Sequence, residues 1–385
     1  MTTFCQVKIK DLCEKVSSGG TPSRKHSEYY SSDEGHLWVK SKELLERGIC
    51  DTEEKISDEG LKNSSAKYYP ANSVLVAMYG VNAGQLAWLE KPATVNQAIC
   101  ALMVDPKKAD WQYVYYSLLE SRQGLISQAR GAAQPNLNKE MVENFEISLH
   151  SDLLVQKRIS TMLSAYDYLI ENNSKRIKTL EEMAKLLYEE WFVKFNFPGH
   201  ENVKMVDSGT EYGMIPEGWK VSNLGEFIEL LYGKALKEEN RIPGNVLVCG
   251  SGGVVGTHNQ RIGIGPGIIV GRKGNAGSVF WVNDDYYPID TSFYVKTKLE
   301  LSFVYYLLKT QNFVLGDAAV PGLNREQAYR NKILISTVEM INLFSEKASP
   351  LRQLIGKLEN KNNNLLNTRD LLIPQLVTGK REIKN

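Results

Sequence analysis

The clearest periodicity in the chain lies in residues 153–192, LLVQKRISTMLSAYDYLIENNSKRIKTLEEMAKLLYEEWF, which contain neither Gly nor Pro. Leu163, Tyr166, Ile170, Asn173, Ile177, Leu180, Ala184, Leu187 and Trp191 recur at alternating three- and four-residue spacings. That spacing predicts a long helix with a heptad seam and one polar seam member. A weaker seam, Leu351, Leu354, Leu358, Lys361, Leu365, Thr368 and Leu372, predicts a second helix over 351–373. The polar breaks match, Asn173 after Ile170-Glu171-Asn172 and Lys361 after Leu358-Glu359-Asn360. A buried polar layer fixes register at some loss of stability. The simplest arrangement is therefore the two helices paired with each other as an intramolecular coiled coil, which if antiparallel would place one module at each end, although helices packed separately on their own domains tolerate the same pattern. A helix of about 40 residues spans roughly 60 Å, long enough to hold two globular modules apart.

Outside the helices the pattern repeats. Asn82-Ala83-Gly84 followed by Ala87-Trp88-Leu89 matches Asn275-Ala276-Gly277 followed by Phe280-Trp281-Val282. Tyr113-Val114-Tyr115-Tyr116 matches Phe303-Val304-Tyr305-Tyr306. Residues 132–140, AAQPNLNKE, match 318–326, AAVPGLNRE. Three blocks in one order, at offsets of 193, 190 and 186 residues, point to duplication of a whole domain. Short apolar runs such as Val74-Leu75-Val76 and Ile268-Ile269-Val270 read as buried strands, and Trp111–Leu119 and Leu301–Leu308 as short helices. The expected class is α+β: tandem mixed modules at 1–150 and 217–338, long helices at 151–195 and 339–378, and a Pro/Gly-rich linker at 196–216, with Pro198-Gly199 stopping the first helix.

Composition adds limits. The net charge is +1 over 385 residues, so any nucleic-acid contact rests on local patches rather than a basic domain. Five cysteines without a CxxC pair suit a reduced, cytoplasmic chain, and no apolar run is long enough to predict a membrane span. The sequence has no P-loop, HExxH or GxSxG motif, no adenine-methyltransferase tetrapeptide, and no metal-ligand spacing among its histidines. A non-catalytic chain without a metal site is expected.

Candidate DNA contacts fall in the repeated blocks. Arg272, Lys273 and Asn275 lie in a Gly-flanked loop whose counterpart carries Tyr79 and Asn82. Arginine can read guanine bidentately and asparagine adenine, but the shared Asn-Ala-Gly also suits a β-turn. Arg130, Gln134, Lys139 and Arg325 are further candidates; Asn138 and Asn324 beside them suit helix caps. Lys40 and Lys42 fit either a phosphate contact or a solvated face. The helix residues Ile170, Asn173, Ile177, Leu180, Leu187, Trp191, Leu354, Leu358, Lys361, Leu365 and Leu372 are candidates for helix pairing or partner binding. Trp191 and Phe192, beside Leu376, suit either a partner's helices or their own domains. Paired domains that bind proteins rather than DNA also fit the charge, whereas a nucleotide-binding enzyme built on the Gly271–Gly277 loop lacks a catalytic set.

The sequence resembles the specificity subunits of Type I restriction–modification systems. The resemblance rests on residues 215–226, IPEGWKVSNLGE, on Gln134–Leu137, on Gln156-Lys157-Arg158-Ile159 entering the first long helix, and on residues 371–379, LLIPQLVTG. The first module departs from it, with Gln6–Leu12 in place of a Pro-Glu-Gly-Trp opening. The resemblance implies two target-recognition domains separated by antiparallel helices and a bipartite, asymmetric double-stranded DNA target. It implies two adenine-methyltransferase (modification) subunits and two restriction/translocase subunits as partners. S-adenosylmethionine, ATP and Mg would bind those partners, not this chain. A specificity chain from a fused or orphan methyltransferase system would look the same.

Overall fold

The computed structural model describes residues 4–129, 136–313 and 322–381. The chain forms two compact units, residues 1–172 with 362–385 and residues 173–361. Each long helix therefore belongs partly to one unit and partly to the other.

Both units are built on one plan. In unit 1 the main sheet runs Cys13–Ser18, Ile99–Val104, Val74–Ala77, Leu86–Leu89, with Gly48–Ile49 added at the edge. In unit 2 it runs Ile228–Tyr232, Ser292–Thr297, Gly267–Gly271, Val279–Val282. The order of equivalent strands is the same. Each unit also has a smaller sheet with one parallel pair, His36–Val39 with Ala93–Val95 and Val246–Gly250 with Tyr286–Pro288. Each closes its ends with an antiparallel pair, Phe4–Lys8 with Glu146–His150 and Lys220–Asn223 with Lys332–Ile335.

The apolar runs that predict strands are continuous because both faces of those strands are covered. Successive side chains point to opposite faces. Val74 and Val76 enter one core cluster while Leu75 and Ala77 enter another. Ile268 and Val270 likewise part from Ile269. The short helices are Trp111–Ser127 and Leu301–Lys309, with the repeated aromatic tetrads buried. Asp110 caps the first, accepting from Tyr113 N at 3.0 Å. Gln156 ties the start of the first long helix to that cap: its Oε1 accepts from Asp110 N at 2.9 Å and its Nε2 donates to His150 O at 2.7 Å.

The long helices are Leu153–Tyr188 and Val338–Val377. In unit 1 they run antiparallel: Asp167 pairs with Arg369, and Asn362 Nδ2 donates to Ile170 O at 3.3 Å. In unit 2 Arg352 meets Glu181 at 3.4 Å and Tyr188 stacks edge-on to Phe344 at 5.9 Å, again antiparallel. The seam residues of the first helix are all buried or half-buried.

The second helix differs from its leucine pattern. Lys361 and Thr368 are exposed and Leu354 is 37% exposed, while Arg352, Ile355, Asn362, Arg369 and Ile373 are buried. Leu358 is buried, and Leu351, Leu365 and Leu372 flank the seam half-buried. The seam thus lies one residue further along, and the polar member matching Asn173 is Asn362, not Lys361. The physical cause is two arginines that bury their stems and pair with acids of the first helix, which a hydrophobic pattern cannot register.

Two further expectations change. The first helix ends in a π-helical turn, Glu189–Val193, and Phe195 takes a left-handed conformation (φ 64°), so it stops before Pro198-Gly199. The 196–216 segment holds a hairpin of Met205–Asp207 with Met214–Pro216 and is anchored by buried Phe197 and Ile215. Trp191 and Phe192 pack in the core of unit 2 with Trp219 and Phe344, and Leu376 in the core of unit 1. These three side chains serve their own units rather than an open partner surface.

Candidate nucleic-acid interface

The repeated blocks, far apart in sequence, are brought together in each unit by the same backbone contacts. In unit 1 Tyr79 bridges Asn136, and Leu137 N donates to Met78 O at 2.8 Å. In unit 2 Lys273 bridges Gly322, and Leu323 N donates to Arg272 O at 2.8 Å. Lys273 is therefore the counterpart of Tyr79, and Arg272 that of the buried Met78.

The shared Asn-Ala-Gly closes a hairpin in both units. Gly84 N donates to Ala77 O and Gly277 N to Gly271 O, each at 2.8 Å. Both glycines sit near φ +80°, at 82° and 81°, where a side chain is strained. Asn82 and Asn275 contribute through their carbonyls, which accept from Gln85 N and Ser278 N. Turn chemistry thus accounts for the shared part of the block, and the differing neighbours carry whatever differs between the units. Asn138 and Asn324 are N-caps, accepting from Met141 N at 2.8 Å and Gln327 N at 3.1 Å.

The basic candidates fall into distinct settings. In unit 2 Arg272 and Arg325 converge on Tyr232, each guanidinium carbon 5.0 Å from the ring centre. Lys273 and Asn275 are exposed on the adjoining turn. In unit 1 Lys139 is exposed and pairs with Glu143 one helical turn on, at 3.0 Å. Lys40 lies 3.4 Å from both Glu53 and Glu54, and Lys42 is 2.5 Å from Glu53. Hydrogen bonding from Arg24 holds the Glu54 carboxyl below its ordinary value, so Lys40 faces an ionised partner and its charge is spent within the protein. Arg130 and Gln134 lie outside the described residues.

Two residues escaped the sequence reading. Tyr232 ends the strand Ile228–Tyr232 and is 48% exposed. The sequence cue is its alignment with Ser18: Tyr232 is the last residue of its strand and precedes Gly233-Lys234, as Ser18 is the last residue of the equivalent strand and precedes Gly19-Gly20. Arg24 stacks 3.9 Å from the Tyr30 ring centre and is held bidentately by Glu54 at 2.6 and 2.9 Å; nothing in its local sequence marks it. A cavity of about 490 Å³ in unit 2 is lined by Trp281, Asn283, Ser302 and Arg352. Its cation is already stacked on Trp281 and Tyr305 and paired with Glu181.

Two α/β units built on one plan thus present turns that share their backbone bonds and differ in their exposed side chains. The model of the Type I restriction modification DNA specificity domain matches residues 1–182 and 216–327. The chain belongs to that family. The Type I restriction enzyme MjaVIII specificity subunit of Methanocaldococcus jannaschii is 25% identical over 392 aligned positions, covering 91% of this chain and 88% of that one. The MjaIX specificity subunit of the same organism is 30% identical over 228, covering 58% of this chain and about half (51%) of the relative's length. The crystal structure of the Type-I restriction-modification system S subunit from M. genitalium shares the fold, with a TM-score of 0.61 at 17% identity, covering 100% of this chain and 97% of that one.

Proposed function

We propose that this chain is the DNA sequence-specificity subunit of a Type I restriction–modification complex and that each unit reads one half of a bipartite, asymmetric target. The observation that carries this is the convergence of the two repeated blocks, in both units, into one turn cluster with the same backbone bonds and different exposed side chains. A shared scaffold with divergent tips is what two different half-sites require, because base edges are read by a few side chains while backbone contacts only position the protein. The two long helices join the units covalently, and their length would set the spacer between half-sites.

On this reading the chain itself carries no catalysis. Two modification subunits would bring S-adenosylmethionine and methylate adenine, and two restriction/translocase subunits would use ATP and Mg; the complex would work in the cytoplasm. Among the described residues no helix is long and apolar enough to cross a membrane. The net charge of +1 predicts weak binding by the isolated chain, with partners adding phosphate contacts. The test is selection from random-sequence DNA by the chain assembled with its modification subunits. Enrichment of a two-part motif with a fixed gap is expected; an intact complex that enriches nothing refutes DNA reading and favours a protein adapter.

A further inference from the structure

We propose that Tyr232, Arg272 and Arg325 form a specificity element private to unit 2, an aromatic-backed pair of guanidiniums that reads guanine in that unit's half-site; this rests on the DNA-recognition reading above. The two guanidinium carbons, each 5.0 Å from one ring centre, are at most about 10 Å apart. Like charges at that range repel, and the face of the tyrosine ring offsets part of the repulsion. Each fork is also oriented. Arg272 Nη1 donates to Asp290 O at 2.9 Å, and Arg325 Nε donates to Glu326 Oε1 at 3.3 Å. Arg325 further stacks 5.9 Å from Tyr329, whose hydroxyl is fixed by Leu230 N at 2.8 Å. Tyr232 is about half exposed, at 48%, and the Arg325 side chain a third exposed, at 33%.

A guanidinium fork holds either a phosphate or guanine bidentately, and what distinguishes this pair is the carboxylate beside it. Two held planes suit the paired O6 and N7 acceptors of guanine in the major groove. Glu326, beside Arg325, opposes a phosphate at that end. Arg24 in unit 1 is held more fully: both its terminal nitrogens pair with Glu54, at 2.6 and 2.9 Å, whereas Arg325 meets one oxygen of Glu326 through Nε and Nη2 at 3.3 Å and Arg272 donates to a backbone carbonyl.

The element is private because its equivalents cannot form it. Gly19 N donates to Ile99 O and Gly233 N to Ser292 O, both at 3.1 Å; Gly20 N donates to Val95 O and Lys234 N to Pro288 O, both at 2.9 Å. These bonds align Tyr232 with Ser18. Arg272 aligns with buried Met78, and Arg325 with Lys139, each following its cap asparagine. Unit 1 thus has a hydroxyl, a core methionine and a lysine where unit 2 has the cluster.

The test is DNA selection by the complex with its modification subunits, using wild type, Tyr232→Leu, Tyr232→Phe and Arg325→Met, each checked for folding by thermal melting. Wild type must enrich a two-part motif; if it does not, the DNA reading fails, separately from this proposal. Given that motif, Arg325→Met should lose about five- to a hundredfold discrimination at a guanine in one half only. Tyr232→Leu should relax the same half, and Tyr232→Phe, which keeps the ring, should select as wild type does. Arg325→Met removes a partly exposed fork at the first position of a short helix and keeps an unbranched apolar stem there, so it reports even where Tyr232→Leu does not fold. Unchanged preferences in Arg325→Met overturn the proposal. So does uniform weakening across sequences with a salt slope lower by about one, the signature of a phosphate contact.

Discussion

Replacing Arg369 with methionine tests how the second helix is held in unit 1. The Arg369 side chain is 4% exposed and pairs with Asp167, whose side chain is 12% exposed and also accepts from the Tyr116 hydroxyl. Removing the cation strands a nearly buried carboxylate, which costs about 3–5 kcal/mol. For a unit of this size that corresponds to roughly 6–20 °C in the melting of unit 1. The loss depends on pH. Burial pushes the Asp167 carboxyl above its ordinary value, against the pull of Arg369 and Tyr116. The folded state therefore binds this proton more tightly than the unfolded one. The group's contribution is most favourable below the unfolded value of about 3.9, declines as pH rises to the folded value, and is flat above it. Without Arg369 the folded value moves further up, so Arg369→Met should be less damaging at pH 5 than at pH 8. Asp167→Leu with Arg369→Met should recover part of the loss, leaving about 1–3 kcal/mol for the stranded Tyr116 hydroxyl, and adding Tyr116→Phe should recover most of that. Hydrogen exchange of peptides from 153–172 and 362–377 reads unit 1 without assuming two-state unfolding of the chain. A single-variant loss under about 1 kcal/mol at pH 8, or a triple variant worse than the single, would refute the reasoning.

Three shorter predictions accompany it. Gly19→Ala should open unit 1, because a Cβ there would lie 2.0 Å from Val95 O, a backbone atom that cannot step aside; protection of the Ile99–Val104 strand in hydrogen exchange checks this. Asn138→Ala and Asn324→Ala should each cost about 1 kcal/mol as lost caps, measured by denaturant titration, with Ser or Asp substitutions retaining most of the stability. Burial pushes the thiols of Cys13, Cys100 and Cys249 up to about 12, so a thiolate-selective reagent at pH 8 should label exposed Cys5 and Cys50 quickly and the other three only on unfolding.

The duplication was legible because both copies keep their turn residues and aromatic tetrads, and the buried strands because their apolar runs serve two cores at once. The first helix read correctly since its seam is apolar around a single asparagine. The second misled because leucines outside the seam outnumber the visible signal, while Arg352 and Arg369 hold seam positions that a pattern assigns to solvent. The turn cluster was half legible. The loops were marked by repetition, but their meeting depends on bridges between residues tens of positions apart, and Tyr232 sits on a strand end with no motif. Lys40 shows the converse: a cation conspicuous in sequence, whose neutralising carboxylates lie on a separate loop segment.

The central claim, that two divergent readers on one scaffold select a split DNA target for adenine methylation, is tested most directly by mapping methylated adenines across the genome of a host with the chain intact and with it deleted. The account predicts modified adenines in both halves of one gapped, asymmetric motif that disappear on deletion. Modification that persists unchanged without the chain, or that marks only an ungapped site, would contradict it.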